Sequence, residues 1–401
     1  MSPPPPITLA EAQERLLARA EPLGAEDVPI ADAIGRTLAT DLPALRTQPA
    51  ADLSAMDGYA MRADDSAGPW RIVGRSAAGH PYSGNLAPGE AVRISTGALM
   101  PADGGAVLLQ EEAEREGDTL RLSPGGEPSL RHIRRTGFDF RSGDPLLTRG
   151  TSIGPAQLAL AISGGHATLS VGRLPTVAVL DSGDELNADP SQCAPHQIPA
   201  SNGAMLAAMA APYARTVRRI GPVADDLDAL LAALREAESA DVLVTSGGAS
   251  VGDHDLVRPA LERWGASIDF WRVAMKPGKP VLVARRGRQW VLGLPGNPVS
   301  SYVTAFLFLL PLLRTMAGAT KALPTLVEAR LNSTLPAAGE RQEFVRGLLD
   351  GGTVHPLGEQ DSSALRSLAA ANALIDRPPH APAVDCDGVV RCFLLGCGGI
   401  A

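Results

Sequence analysis

The chain has 401 residues, 45% of them apolar and 20% charged, which places it among globular sequences and excludes a disordered chain. That length allows roughly two to four domains, each with its own core. Its 44 acidic and 36 basic side chains give a net charge of −8, which excludes a broad attraction to nucleic acid, so an anionic ligand must meet a local basic pocket.

The opening MSPPPP lacks the basic and apolar regions of a secretory signal, so a cytoplasmic location is expected. Residues 8 to 20 read as a helix, with Thr8 as N-cap, Glu11 as capping-box partner and Leu16 and Leu17 on the apolar face. From Asp41 the pattern changes to short β-prone segments broken by glycine and proline: WRIVGRS, EAVRIST, GGAVLLQEE and DTLRLSP. Residues 45–138 are therefore expected to form a β-rich domain. A helix returns over 155–163, so this domain is inserted into a first domain made of residues 1–44 and 139–173.

From Leu174 to residue 322, three aliphatic runs each lead into a glycine-rich loop: TVAVLDSGDEL, DVLVTSGGASVGD and WVLGLPGNP. Alternation of strand, loop and helix predicts a doubly wound, parallel α/β sheet with its ligand at the carboxyl ends of the strands. The apolar stretch Tyr302 to Leu313 falls short of the ~20 residues that span a bilayer and contains Pro311, so a buried helix and no membrane contact are expected. Residues 323–401 return to short strands, EARLNSTL, EFVRGLLD, ALIDRP and VVRCFLL, which predict a C-terminal β-domain. The four cysteines, Cys193, Cys386, Cys392 and Cys397, form no CxxC pair and read as reduced thiols rather than zinc ligands.

The loops carry the candidate chemistry. In SGGASVGD the glycines let backbone N–H groups of Ser246, Gly247, Gly248 and Ser250 form an anion nest. Asp253 and Asp255 end that loop as oxygen ligands for Mg²⁺, or Asp253 caps the next helix. Pro295, Gly296, Asn297 and Pro298 lead into a helix whose N-terminus would receive a phosphate. Lys276 and Lys279 sit on a proline-stiffened turn that suits an oxyanion such as molybdate or phosphate. Glu185 stands at the end of DSGDEL as a base or metal-water ligand, and Asp184 beside it is a ligand-site acid or a helix cap. In the first half, Asp57 in SAMDGYAM and Ser95 and Thr96 in ISTGA default to turn residues, Asp57 through an Asx bond.

In this order, SAMDGYAM, ISTGA, DSGDEL, TSGGASVGDHD, KPGKP, GLPGNPVS and EFVRG resemble the molybdopterin molybdenumtransferase family, including the matching domain of gephyrin, over nearly the whole chain. The resemblance implies an elongated, L-shaped subunit with a molybdopterin-binding α/β domain, and a homodimer whose active site combines that domain with the partner's β-rich domain. It implies insertion of molybdenum from molybdate into adenylylated molybdopterin with release of AMP, assisted by Mg²⁺. Pathway enzymes and apo molybdoenzymes are the implied partners. Functional positions carried over are Asp57, Thr96, Asp139, Glu185, Asp255, Lys276, Lys279, Arg346 and Ser362. In these, Glu185 and Asp255 would orient Mg²⁺ and a water, and the lysines with the planar fork of Arg346 would hold oxyanions.

The chain departs from the family pattern at three places. Phe138 stands where Glu is usual in Gly-Glu-Asp, Gly105 where Asp is common, and Asp361 where Gly precedes Ser362. Phe138 and Gly105 leave room for a pterin-binding paralogue or a cofactor nucleotidyl transferase. A scaffold role would not require Glu185 and Asp255.

Overall fold

The computed structural model describes residues 5–247 and 256–396. The first helix, α1 (Leu9–Leu17), starts where expected: Thr8 Oγ1 accepts the Glu11 N–H at 3.2 Å. It is shorter than the expected 8–20, and the Glu11 carboxylate turns to Arg15 instead of back to Thr8, so only half of the capping box forms. The buried face of α1, Leu9, Ala12 and Leu16, joins the core of the α/β domain, although the sequence reading assigned residues 1–44 to the first domain. An isolated bridge from Ile7 to Val273 holds the segment before α1 against that domain.

Strand β1 (Ala25–Pro29) pairs with a strand from beyond the β-rich segment, so the two stretches of the first unit meet in one small core of Ala33, Leu38, Leu42, Ile153, Ala161 and Val171. Between them lie β2 (Gly58–Met61), β3 (Trp70–Ser76), β4 (Glu90–Ile94), β5 (Ala106–Leu109), β6 (Ala113–Glu116) and β7 (Thr119–Leu122). They form one sheet in the order β5-β2-β4-β3-β7-β6. Along β2, Tyr59 and Met61 face one core and Ala60 the other, the two-residue period of a strand buried on both faces. Gly58 is demanded by packing, since a Cβ there would lie 2.0 Å from the Leu108 carbonyl oxygen. Helix α2 (Pro155–Ser163) and strand β8 (Thr168–Gly172), the partner of β1, close the unit.

The α/β domain follows as β9 (Thr176–Ser182), α3 (Ser201–Ala210), β10 (Thr216–Val223), α4 (Leu227–Glu236), β11 (Val242–Ser246), α5 (Val257–Arg263), β12 (Ser267–Arg272), β13 (Pro280–Arg286), β14 (Gln289–Leu294) and the long helix α6 (Pro298–Met316). Its sheet order is β10-β9-β11-β14-β13-β12. On β9, Val177 and Val179 face one core while Ala178 and Leu180 face the other, which is why the sequence shows a continuous apolar run. The doubly wound α/β sheet is present as expected, but its parallel run stops short of one edge. Strands β10, β9, β11 and β14 are parallel, but β13 is antiparallel to both β14 and β12. Only two residues, Gly287 and Arg288, connect β13 to β14, and a link that short permits only an antiparallel hairpin.

Helix α6 also corrects the length argument made from Tyr302 to Leu313. At 19 residues it is long and apolar enough to cross a membrane, and burial of 89% of its apolar window within the protein makes it a core helix. A π-turn over Ala305–Leu309, closed by the Leu310 N–H on the Ala305 carbonyl, precedes Pro311, the residue that cannot donate to the ladder. The chain ends in β15 (Leu326–Leu331), β16 (Gln342–Asp350), β17 (Thr353–Pro356), β18 (Ala373–Arg377) and β19 (Val389–Leu394). Their order β16-β17-β15-β19-β18, with β18 pairing back onto β16, closes a small barrel around Leu331, Val354, Ile375 and Cys392.

Candidate active site

Because β9, β11 and β14 are neighbours and parallel, their carboxyl ends lie side by side and their three loops share one cleft of about 850 Å³. The cleft is lined by Glu185, Ser246, Gly247, Pro295, Gly296, Asn297 and Pro298, all singled out from the sequence. Close approach of the loops depends on glycine. Gly247 has φ +95° and a Cβ there would meet the Ser182 carbonyl oxygen at 2.6 Å, whereas a Cβ on Gly296 would make only an ordinary contact, 3.7 Å from Gly247 Cα. Gly248, Ser250, Asp253 and Asp255 lie outside the described residues.

Acidic groups gather at the rim. Asp184 does not cap a helix: its Oδ1 accepts the Asp225 backbone N–H at 3.0 Å, and the next helical turn, the 3-10 turn Pro190–Gln192, is capped by Asp189. Asp225, which the sequence reading passed over, lines the cleft, and its carboxyl is pushed above the usual range by burial and by the Asp184 and Glu185 charges. Among the described residues no group of three His, Cys, Asp or Glu side chains is arranged to hold a metal ion. Cys193, Cys386 and Cys392 are free thiols, and Cys397 lies outside the described residues.

Two further cleft residues were missed. Asp181 is 2% exposed, lines the cleft and has a pKa raised to about 6. Burial is the main cause, offset in part by Arg219, at 3.9 Å, and by the Gly203 N–H. Asn202, the second residue of α3, ties the loops together: its Nδ2 donates to Gly296 O at 2.6 Å and to Ser246 Oγ at 3.0 Å. The only sequence signal for it was a polar pair opening a helix after a cleft strand.

The C-terminal barrel reaches the cleft through one loop. Ser362 Oγ accepts from Asn297 Nδ2 at 2.8 Å, its carbonyl accepts the Val299 N–H at 3.0 Å, and Ser363 lines the cleft. One first-turn N–H of α6 that was expected to meet a phosphate is therefore already bonded within the protein. Arg346 also differs from expectation. It is 1% exposed, and its guanidinium donates to Ser367 Oγ and to the carbonyls of Glu359 and Asp361, so it holds the Ser362 loop in place. Asp361 accepts from the Ser363 backbone and hydroxyl, a local turn that Gly could not make. Lys276 and Lys279 are exposed; Lys276 Nζ is 3.5 Å from Glu343, and Lys279 precedes Pro280 on the cleft wall.

Asp57, Thr96 and Asp139 do not line the cleft of their own chain. Asp57 does not close its own turn: Oδ1 accepts the Thr96 N–H at 2.8 Å and so joins the SAMDGYAM and ISTGA loops. Asp139 is exposed beside Phe138, itself 75% exposed. At Gly105 a Cβ would lie 2.6 Å from Ala63 Cβ, so the backbone here is packed for glycine.

A doubly wound α/β domain with its cleft at three adjacent strand ends, flanked by β-rich N-terminal units and a C-terminal barrel, is the architecture of the MoeA proteins. Residues 7–165 match the MoeA N-terminal region (domain I and II), 178–315 a probable molybdopterin binding domain, and 328–385 the MoeA C-terminal region (domain IV). The molybdopterin molybdenumtransferase of Bacillus subtilis is 33% identical over 97% of this chain and 94% of its own length. Molybdopterin molybdenumtransferase 2 of Mycobacterium tuberculosis is 35% identical over 88% and 90%. Among solved structures, the molybdopterin biosynthesis moeA protein of Pyrococcus horikoshii OT3 superposes with a TM-score of 0.83 at 26% identity, covering 98% of this chain and 100% of that one. The chain belongs to the molybdopterin molybdenumtransferase family and is an enzyme of molybdenum-cofactor biosynthesis.

Proposed function

We propose that this enzyme inserts molybdenum from molybdate into adenylylated molybdopterin and releases AMP. The observation that carries the reading is the cleft in which two glycine-rich loops and a rim of acids converge, with Pro280, directly after Lys279, on its wall. The loops around Ser246, Gly247 and Pro295 to Pro298 seat the pterin and its phosphates, with Gly248 and Ser250 continuing the first loop; the Gly247 N–H is bonded to the Leu294 carbonyl and prolines carry none, so the backbone donors of the second loop are Gly296 and Asn297. Lys276 and Lys279 neutralise oxyanions at the wall, and Ser362 closes that side, held by Arg346.

The acidic rim fits a divalent cation: Asp225 is raised first by burial and then by the Asp184 and Glu185 charges, and a bound cation would offset that charge crowding. Glu185 would hold Mg²⁺ together with Asp253 and Asp255, and the ion would supply charge neutralisation at the phosphoanhydride. Glu185 also orients the water that cleaves the adenylyl bond. Asp57, Thr96 and Asp139 complete the site from the partner subunit of a homodimer, which accounts for their absence from the cleft of their own chain. The enzyme works in the cytoplasm and passes its product to pathway enzymes or apo molybdoenzymes.

Purified protein incubated with adenylylated molybdopterin, Mg²⁺ and molybdate should release AMP and activate an apo molybdoenzyme, and Glu185→Ala should lose both. Tight pterin binding without turnover would refute the insertase reading in favour of a carrier or altered paralogue. Consumption of a nucleoside triphosphate would assign a nucleotidyl transferase.

A further inference from the structure

The direction of the hydrogen bonds at the cleft floor is fixed by one side chain. Asn202 lies 2.6 Å from the Gly296 carbonyl oxygen, which can only accept, so its amide nitrogen and not its oxygen must face Gly296. The second amide proton then goes to Ser246 Oγ at 3.0 Å. A hydroxyl that accepts this bond keeps its own proton to donate. Ser246 ends β11, is 3% exposed and lines the cleft, and among the described residues no group accepts its proton. The bond that joins strand β11 to the loop after β14 thus leaves a buried O–H beside the cleft.

We infer that Asn202 is a positioning residue that commits the Ser246 hydroxyl to donate into the cleft, and so selects an oxyanion of the substrate at that point. This rests on the insertase reading and names the side chain that sets the polarity of its oxyanion subsite. Glutamine-like reach is not needed, because Asn202 is placed by the first turn of α3 over both loops. Reversal of the amide would bring two acceptors together at Gly296 and would capture the Ser246 proton. Two sources offer the required oxyanion, the adenylyl phosphate and molybdate itself.

The test is isothermal titration of wild type, Asn202→Ala, Ser246→Ala and the double variant with adenylylated molybdopterin, AMP and molybdate in turn. A hydrogen bond to a charged oxygen is worth a roughly ten- to hundredfold change in Kd, and each single variant should lose that much for the ligand concerned. The double variant should bind as the single variants do, because Asn202 acts through the hydroxyl that Ser246→Ala removes. Loss for AMP assigns the phosphate, and loss for molybdate assigns the metal oxyanion. Ser246→Ala keeps the Asn202–Gly296 bond, so its loop stays anchored and a loss cannot be laid to unfolding. If Ser246→Ala binds like wild type, or if the two losses multiply in the double variant, Asn202 has a structural role only and the inference fails while the insertase reading stands. If wild type binds none of the three ligands, the insertase reading itself fails and the inference goes with it.

Discussion

Replacing Asp181 with Asn should stabilise the protein at alkaline pH and leave it unchanged in acid. Asp181 is 2% exposed, and burial lifts its pKa from 3.8 to about 6 despite the nearby Arg219 and the Gly203 N–H. Below pH 3.8 the folded and unfolded states both carry the proton, and the group costs nothing. Between that value and about 6 the folded state keeps a proton that the unfolded state has released, so stability falls as pH rises. Above about pH 6 the loss is complete, and a shift of about 2 units at about 1.4 kcal/mol each makes it roughly 3 kcal/mol. Asparagine removes the charge but leaves Arg219 without its partner, which trims the expected gain to about 1–3 kcal/mol. Urea unfolding followed by tryptophan fluorescence near pH 4 and at pH 8 measures it, since Trp264 and Trp290 report from the two cores of this domain. A variant no more stable than wild type at pH 8, or more stable by the same amount at both pH values, would refute the argument from burial.

Two further substitutions test the supports of the cleft. Gly203→Ala puts a Cβ within 1.9 Å of Asp181 Oδ2 and should cost about 1–3 kcal/mol in urea unfolding, with most of the loss recovered in an Asp181→Ala background. Arg346→Lys cannot reach Ser367 and the Glu359 and Asp361 carbonyls at once, so it should lose about 1–3 kcal/mol and speed proteolytic cleavage around residues 359–363, and an unchanged cleavage rate would count against its role as an anchor.

The strand-loop pattern was legible because its signals are local. Three aliphatic runs on β9, β11 and β14 are buried on both faces, and each glycine-rich loop follows directly, so periodicity alone located the cleft wall. The antiparallel edge was not, because it depends on a two-residue link whose neighbours, RR and QW, carry no hairpin signature stronger than Gly287. Long-range contacts were the other blind spot. Nothing in the sequence around Asp57 indicates that it bonds Thr96, 39 positions away, or that the Arg346 fork would be spent on carbonyls instead of on a ligand. Asn202 and Asp181 were missed for the same reason: their partners, Gly296, Ser246, Gly203 and Arg219, belong to other segments.

The cleft is also marked by a physical cost that no motif expresses. Asp181 Oδ1, Ser182 Oγ and Thr245 Oγ1 are buried without a hydrogen-bond partner among the described residues, at the ends of two adjacent strands whose middle residues, Val177 to Leu180 and Val242 to Val244, are apolar. An unpaired buried polar atom costs about 1–3 kcal/mol, so apolar replacements at these positions would make a more stable sheet. A fold keeps such a cluster where something other than stability needs polar atoms. Asp181 and Ser182 line the cleft at the carboxyl end of β9, and Thr245 stands directly before Ser246 and the loops that Asn202 draws together, which ties that expense to the cleft and not to the sheet it crowns.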